Sequence, residues 1–222
     1  MGHHRSWAWL LVAGLSLPGC SSKQVSPQMY TGFLQDYSIL TERKTPSGQT
    51  VLGWVSPGLK AGGYKQVYLE PSQVYPWPEP SERIPPSTLI NMTGYYDAAL
   101  RLELGKVVPL AAKPGPGTLV VRPAITRVAT RTQGLRFYEW LPVTLVVAGV
   151  STATGIRDQD SEIATEVSFE DGENGAVVAE LVRMGTGVPL EDDKQVMTAY
   201  NVKAVLDGWA GDLRTAYMAY RR

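Results

Sequence analysis

Asp158-Gln-Asp160-Ser-Glu162 is the densest run of chemistry-bearing side chains in the sequence. Alternate carboxylates can gather a hard cation, and a cation-dependent hydrolase would use such a group to hold a metal and activate water. The run opens like a calcium loop, but the sixth and twelfth positions, where that loop needs glycine and a bidentate glutamate, are Ile163 and Phe169. The plainer reading is a solvated turn leading into a strand whose outward face carries Glu162, Glu166 and Glu170. Carboxylates four residues apart on a strand lie about 13 Å apart, too far for a paired acid and base. Glu191-Asp-Asp-Lys194 precedes the last helical pattern and reads as acids placed at a helix N-terminus. Lys113-Pro-Gly-Pro-Gly117 lacks the Gly-Lys-Ser/Thr ending of a phosphate loop and reads as a turn, and no Gly-x-Ser-x-Gly nucleophile elbow occurs.

The remaining reactive side chains sit at the start. The 2 histidines are His3 and His4, and the 1 cysteine is Cys20. Beyond residue 20 there is nothing to build a His-based triad, a His or Cys zinc site, haem ligation or an internal disulfide, and no cofactor is expected. Residues 1–19 read as a secretory leader: Arg5 supplies the basic start, and the apolar core from Trp7 to Leu17 spans about 16 Å, half a bilayer core. That core runs into Leu17-Pro-Gly-Cys20, which resembles the lipobox of bacterial lipoproteins, so Cys20 is the expected lipidation site. Several acyl chains on one residue make membrane attachment effectively permanent. Ser21 follows where an Asp would resemble an inner-membrane retention signal, which favours the outer membrane. Residues 20–29 are small and polar and suit a flexible tether.

Charge offers no lead to a partner. Lys+Arg and Asp+Glu number 21 each, and removing the leader takes away only Arg5. Binding to a nucleic-acid backbone is therefore not expected. The aromatics are more suggestive. Tyr75 and Trp77 lie in a proline loop and are the candidate anchors for an envelope partner protein, since Tyr and Trp are enriched at interface hot spots. The competing reading folds Trp77 back as a lid over the core. Phe137, Tyr138 and Trp140 precede an apolar stretch, whereas Trp209, Leu213 and Tyr217 fall at helical spacing and read as core.

The elements that must position these residues follow from periodicity. Phe33, Leu34, Tyr37 and Leu40 predict a short turn of helix, Val51–Val55 a brief strand, and Tyr64–Glu70 a strand with Val67 and Leu69 on one face. Residues 71–86 contain six prolines and predict an extended surface loop. Leu89, Met92, Tyr96, Ala99 and Leu100 then mark a helix opened by Pro86 or Ser87 and fading near Gly105. Residues 118–130 form a long strand in which Pro123 points to an edge position or a bulge. The apolar run 142–155 reads as helix, with strand as the alternative. Residues 162–170 and 176–183 make a hairpin about the turn at Asp171–Gly175, and residues from Val202 to Tyr220 make a long amphipathic helix. The expected fold is a single α+β domain over 30–222, an antiparallel sheet with helices packed on one face.

Several stretches taken together resemble the bacterial envelope lipoproteins of domain of unknown function 3313. They are Gly32-Phe-Leu-Gln-Asp36-Tyr37-Ser38-Ile-Leu40, Tyr64-Lys-Gln-Val-Tyr-Leu-Glu-Pro71, Pro116-Gly117-Thr118-Leu119, the acidic strand from Glu162 to Asp171, and Trp209-Ala-Gly-Asp-Leu213-Arg214. The resemblance covers most of 30–220 and implies an envelope lipoprotein domain, with no catalytic residues to carry over. The expected function is a non-enzymatic, membrane-anchored accessory or binding module in the periplasm, facing a partner protein or an apolar ligand. The alternative is a cation-dependent hydrolase built on Asp158, Asp160 and Glu162.

Overall fold

The computed structural model describes residues 30–79, 81–132, 159–192 and 194–222. The predicted leader, Cys20 and its tether, the aromatics 137–140, the apolar run 142–155 and Asp158 lie outside the described residues.

Seven strands form one open sheet: β1 (Thr41–Lys44), β2 (Thr50–Val55), β3 (Gln66–Leu69), β4 (Gln73–Val74), β5 (Thr118–Thr132), β6 (Gln159–Asp171) and β7 (Val177–Thr186). Their order is β1-β2-β7-β6-β5-β3, with β4 also on β5. Pairing is antiparallel except where β3 and β4 run parallel to β5. The chain reaches β5 from β4 through α1 (Pro86–Gly105), as a parallel neighbour requires a crossover. The second long helix, α2 (Ala199–Tyr220), closes the chain.

Both helices lie on one face of the sheet, as period-two and period-3.6 patterns demand when they meet. Val67, Leu69, Val121, Ile163, Val167 and Phe169 from the strands pack on Met92, Tyr96 and Leu100 of α1 and Leu206, Trp209 and Tyr217 of α2. Pro86 stands at the start of α1, where its missing N–H costs nothing. The cap of α2 is Thr198, whose N–H donates to Asn201 Oδ1 at 2.9 Å. The acids expected to cap this helix stand apart from it: Asp192 accepts the N–H groups of Lys194 and Gln195, both at 2.8 Å, in a turn of its own.

Pro123 is accommodated differently from expectation. Strand β5 is interior, flanked by β6 and by β3 with β4, and the bulge falls between Ile125 and Arg127. The carbonyls of Val121 and Ile125 accept from Glu70 and Tyr75, so the backbone of every second residue, Pro123 included, faces the β3–β4 side. There β3 has ended and β4 has not begun, and the absent N–H leaves no ladder bond broken. The proline loop is correspondingly less detached than expected, since Gln73–Val74 joins the sheet.

The opposite face of the sheet is also covered. Residues 30–40, with a 3₁₀ turn at Tyr37–Ile39, lie across it and bury Leu34. Glu162 and Glu166 are only 2% and 0% exposed, which overturns the reading of a solvated acidic face. Strand β1, polar throughout and exposed, forms one sheet edge that alternation could not have revealed.

Candidate functional site

Of the predicted metal ligands, Asp158 lies outside the described residues, and Asp160 and Glu162 are the two whose placement is described. Asp160 and Glu162 are two residues apart on β6, about 6.6 Å along the strand. Among the described residues no group of three or more His, Cys, Asp or Glu side chains could hold a metal ion. The buried carboxylate of Glu166 on this face has a structural role. Glu166 accepts from Thr31 Oγ1 at 3.0 Å and from Tyr37 Oη at 2.5 Å, fastening the entering chain to the sheet. Burial pushes the Tyr37 phenol upward, and its bond to Glu166 adds to that. Burial likewise raises Glu180 above the ordinary carboxylate range, helped by Asp36 and Glu166 nearby and opposed by the N–H of Gln35.

Tyr75 and Trp77 separate in role. The ring of Tyr75 leans on Phe33 with centroids 5.7 Å apart, and its N–H donates to Ile125 O. Trp77 is 55% exposed, so it is not a lid over the core.

The feature that sequence reasoning missed is a groove of about 360 Å³ on the helix-bearing face. The sheet extends past α2 by the β1–β2 hairpin, and no further helix covers that flank among the described residues. The direct pairs Arg43↔Val51, Gly53↔Leu181 and Val55↔Ala179 place all six residues on this side, because paired residues share a face. Strands β2 and β7 thus make the floor, and Leu213, Ala216, Tyr217 and Tyr220 of α2 make one wall. Gly53 keeps the floor low: a Cβ there would stand 3.3 Å from Glu180 O and 3.4 Å from Arg43 Cδ.

Hydrogen bonds close both ends of the groove. At one end the β1–β2 turn is clasped to α2, with Ser47 N and Oγ each donating to Asp212 at 2.9 Å. At the other, Tyr220 Oη donates to Lys60 O at 2.7 Å, while Gly62 N donates to Tyr220 O at 3.1 Å. The phenols of Tyr64 and Tyr217 are engaged as well, with Asp171 Oδ2 and Tyr64 O. Burial raises both phenols further from ionisation. What remains facing the cavity there is hydrocarbon and ring surface.

Arg183 enters the wall from β7. It is 2% exposed and reaches between the helices, where Nη2 donates to Tyr96 Oη at 2.7 Å and Nη1 to Trp209 O at 3.3 Å. Its guanidinium lies 4.6 Å from the Trp209 ring centroid. Its partners among the described residues are neutral, with no ion pair to a carboxylate.

The family model described as a protein of unknown function, DUF3313, matches residues 29–213. The chain belongs to that family. This DUF3313 chain is 37% identical over 198 residues to the uncharacterized lipoprotein YdcL of Escherichia coli K12, covering 89% of each chain, and equally to that of E. coli O157:H7. The name of these relatives supports the lipoprotein reading of Leu17–Cys20. Two solved structures align with part of this chain at low similarity. The PelC dodecamer from Paraburkholderia phytofirmans aligns with a TM-score of 0.38 at 13% identity, over 73% of this chain and 97% of that one. Protein XCC0632 from Xanthomonas campestris, of DUF330, aligns with a TM-score of 0.41 at 11% identity, over 75% and 90%.

Proposed function

We propose that this chain is a lipid-anchored, non-enzymatic binding module on the periplasmic face of the outer membrane, and that it holds an apolar ligand in the groove between α2 and the β1–β2 hairpin. One observation carries the reading: a cavity of about 360 Å³, within the range of small-molecule sites, whose floor and helical wall are apolar and whose ends are tied shut. An apolar face left open to water is costly unless something covers it. A solvatochromic dye such as Nile red tests this. Ala216 is exposed on the groove wall and outside the core, so Ala216→Trp fills the cavity and leaves the fold intact. The parent brightens the dye and the variant, with an unchanged melting temperature, does not; equal brightening by both would refute the assignment.

A second surface serves a protein partner. Trp77, exposed beside the Tyr75–Phe33 contact, has the character of an interface anchor. Trp77→Ala changes stability by less than about 0.5 kcal/mol, measured by urea unfolding, and loses the partner captured by crosslinking in cells. A captured set identical to the parent's removes this surface from the proposal.

A further inference from the structure

Resting on the groove reading above, we infer that the groove of one copy receives the Trp77 loop of a second copy of this chain, so that copies join head to tail and a free apolar ligand competes with that contact. Two apolar features left open to water carry it. Trp77 is 55% exposed, and Val55 on the groove floor is 43% exposed. They belong to opposite flanks of the sheet. Trp77 follows β4, which pairs with β5, whereas the floor is β2 and β7. Three strand spacings, about 14 Å, separate β4 from β7, and α1 and α2 are packed on the face between. The chain also leads away. Val74 pairs with Ile125, level with the Arg183 end of the groove, and β4 runs from there toward the Thr132 end of β5. The Tyr75 ring then rests on Phe33, in the chain that lies across the opposite face. Trp77 therefore cannot fill the groove of its own chain, but the knob on one flank of a copy meets the groove on the other flank of the next. Such a contact leaves each copy with a free knob or a free groove, and it repeats.

Charge at the rims fits the pairing. Residues 75–82 carry Glu79 and Glu82, both exposed, and no Lys or Arg. The groove is flanked by exposed cations, Arg43 at one end and Lys60 at the end that Tyr220 closes. The carboxylates on this side are engaged within the chain: Asp212 with Ser47, and Asp171 with Tyr64 Oη and the N–H groups of Glu173 and Asn174. Glu42 and Glu180 pair with Leu52 and Trp54 and so belong to the opposite face. Acids on the entering loop thus meet cations outside an apolar seat. Pro76 and Pro78 fix the backbone on either side of Trp77, which lowers the entropy lost on docking. An indole buries about 150–250 Å², well below the roughly 1,200 Å² of a stable interface. The contact is weak in solution and suited to copies held on one membrane by short tethers, where effective concentrations reach about 1 mM.

The test is sedimentation equilibrium of the mature chain, residues 20–222 carrying Cys20→Ser, at up to about 1 mM. The weight-average mass of the parent rises with concentration to at least twice that of one chain. Trp77→Ala keeps the groove and loses the knob, and Ala216→Trp keeps the knob and fills the groove, so each alone stays at the mass of one chain. Mixed in equal amounts they form a two-chain species and nothing larger, because a single pairing of knob with groove survives. Nile red brightens with the dilute parent, and its brightening per chain falls as the parent is concentrated but not as Trp77→Ala is. A parent that stays at the mass of one chain, variants that associate as the parent does, or a mixture with no two-chain species overturns the head-to-tail contact, while dye binding by the dilute parent keeps the groove. A dilute parent that leaves the dye dark overturns the groove reading itself.

Discussion

Glu180 is held toward its protonated form by burial and by the nearby carboxylates of Asp36 and Glu166. A carboxyl whose folded pKa is raised binds its proton more tightly in the folded state than in the unfolded chain. Its contribution to stability is then greatest at acid pH and declines as pH climbs from the unfolded value through the folded one. Glu180→Gln, which carries no charge to lose, therefore melts higher than the parent at pH 8, and the difference closes toward pH 4. Thermal melts across that range check the sign. The sequence could not have exposed this. Alternation in β6 distinguishes two faces of a strand, but only the residues lying above each face decide whether it is wet. The cover comes from Thr31 and Tyr37, about 130 residues earlier, and no local pattern links them to Glu166.

At the scale of elements, close approach between α2 and the end of β7 demands glycine. A Cβ on Gly187 would lie 1.9 Å from Asn201 O, a backbone atom that cannot move without dragging the start of α2 with it. Gly187→Ala should cost more than about 2 kcal/mol, read as a lowered urea midpoint, in the manner of other overpacked sites. Legibility varied with how strongly burial shapes each element. The helices α1 and α2 and the strands β2, β3, β5, β6 and β7 could be read from periodicity because each presents an apolar stripe to the same core. Strand β1 is all polar and β4 has two residues, so neither has a stripe to read. Pro123 pointed to an irregularity in β5, but its placement opposite the gap between β3 and β4 depends on pairing that no sequence window contains. The groove was invisible for a related reason: it is made by what α2 fails to cover.

For the whole molecule, the two faces of the sheet divide the work. One carries helices and the groove, and the other carries the chain that arrives from the proposed anchor, fastened through Glu166. Ten residues separate Cys20 from Tyr30, a tether of at most about 36 Å. Cys20→Ser should move the protein from the membrane to the soluble fraction, and unchanged fractionation would count against the anchor.

The hairpin that overhangs α2 pairs Leu52 with Val182, some 130 residues further along the chain. Order in time follows from that separation. During synthesis the first strands emerge long before their neighbour, and β2 has no sheet to join until β7 has followed it. The groove is therefore among the last features of the domain to exist, assembled only when nearly the whole chain has been made.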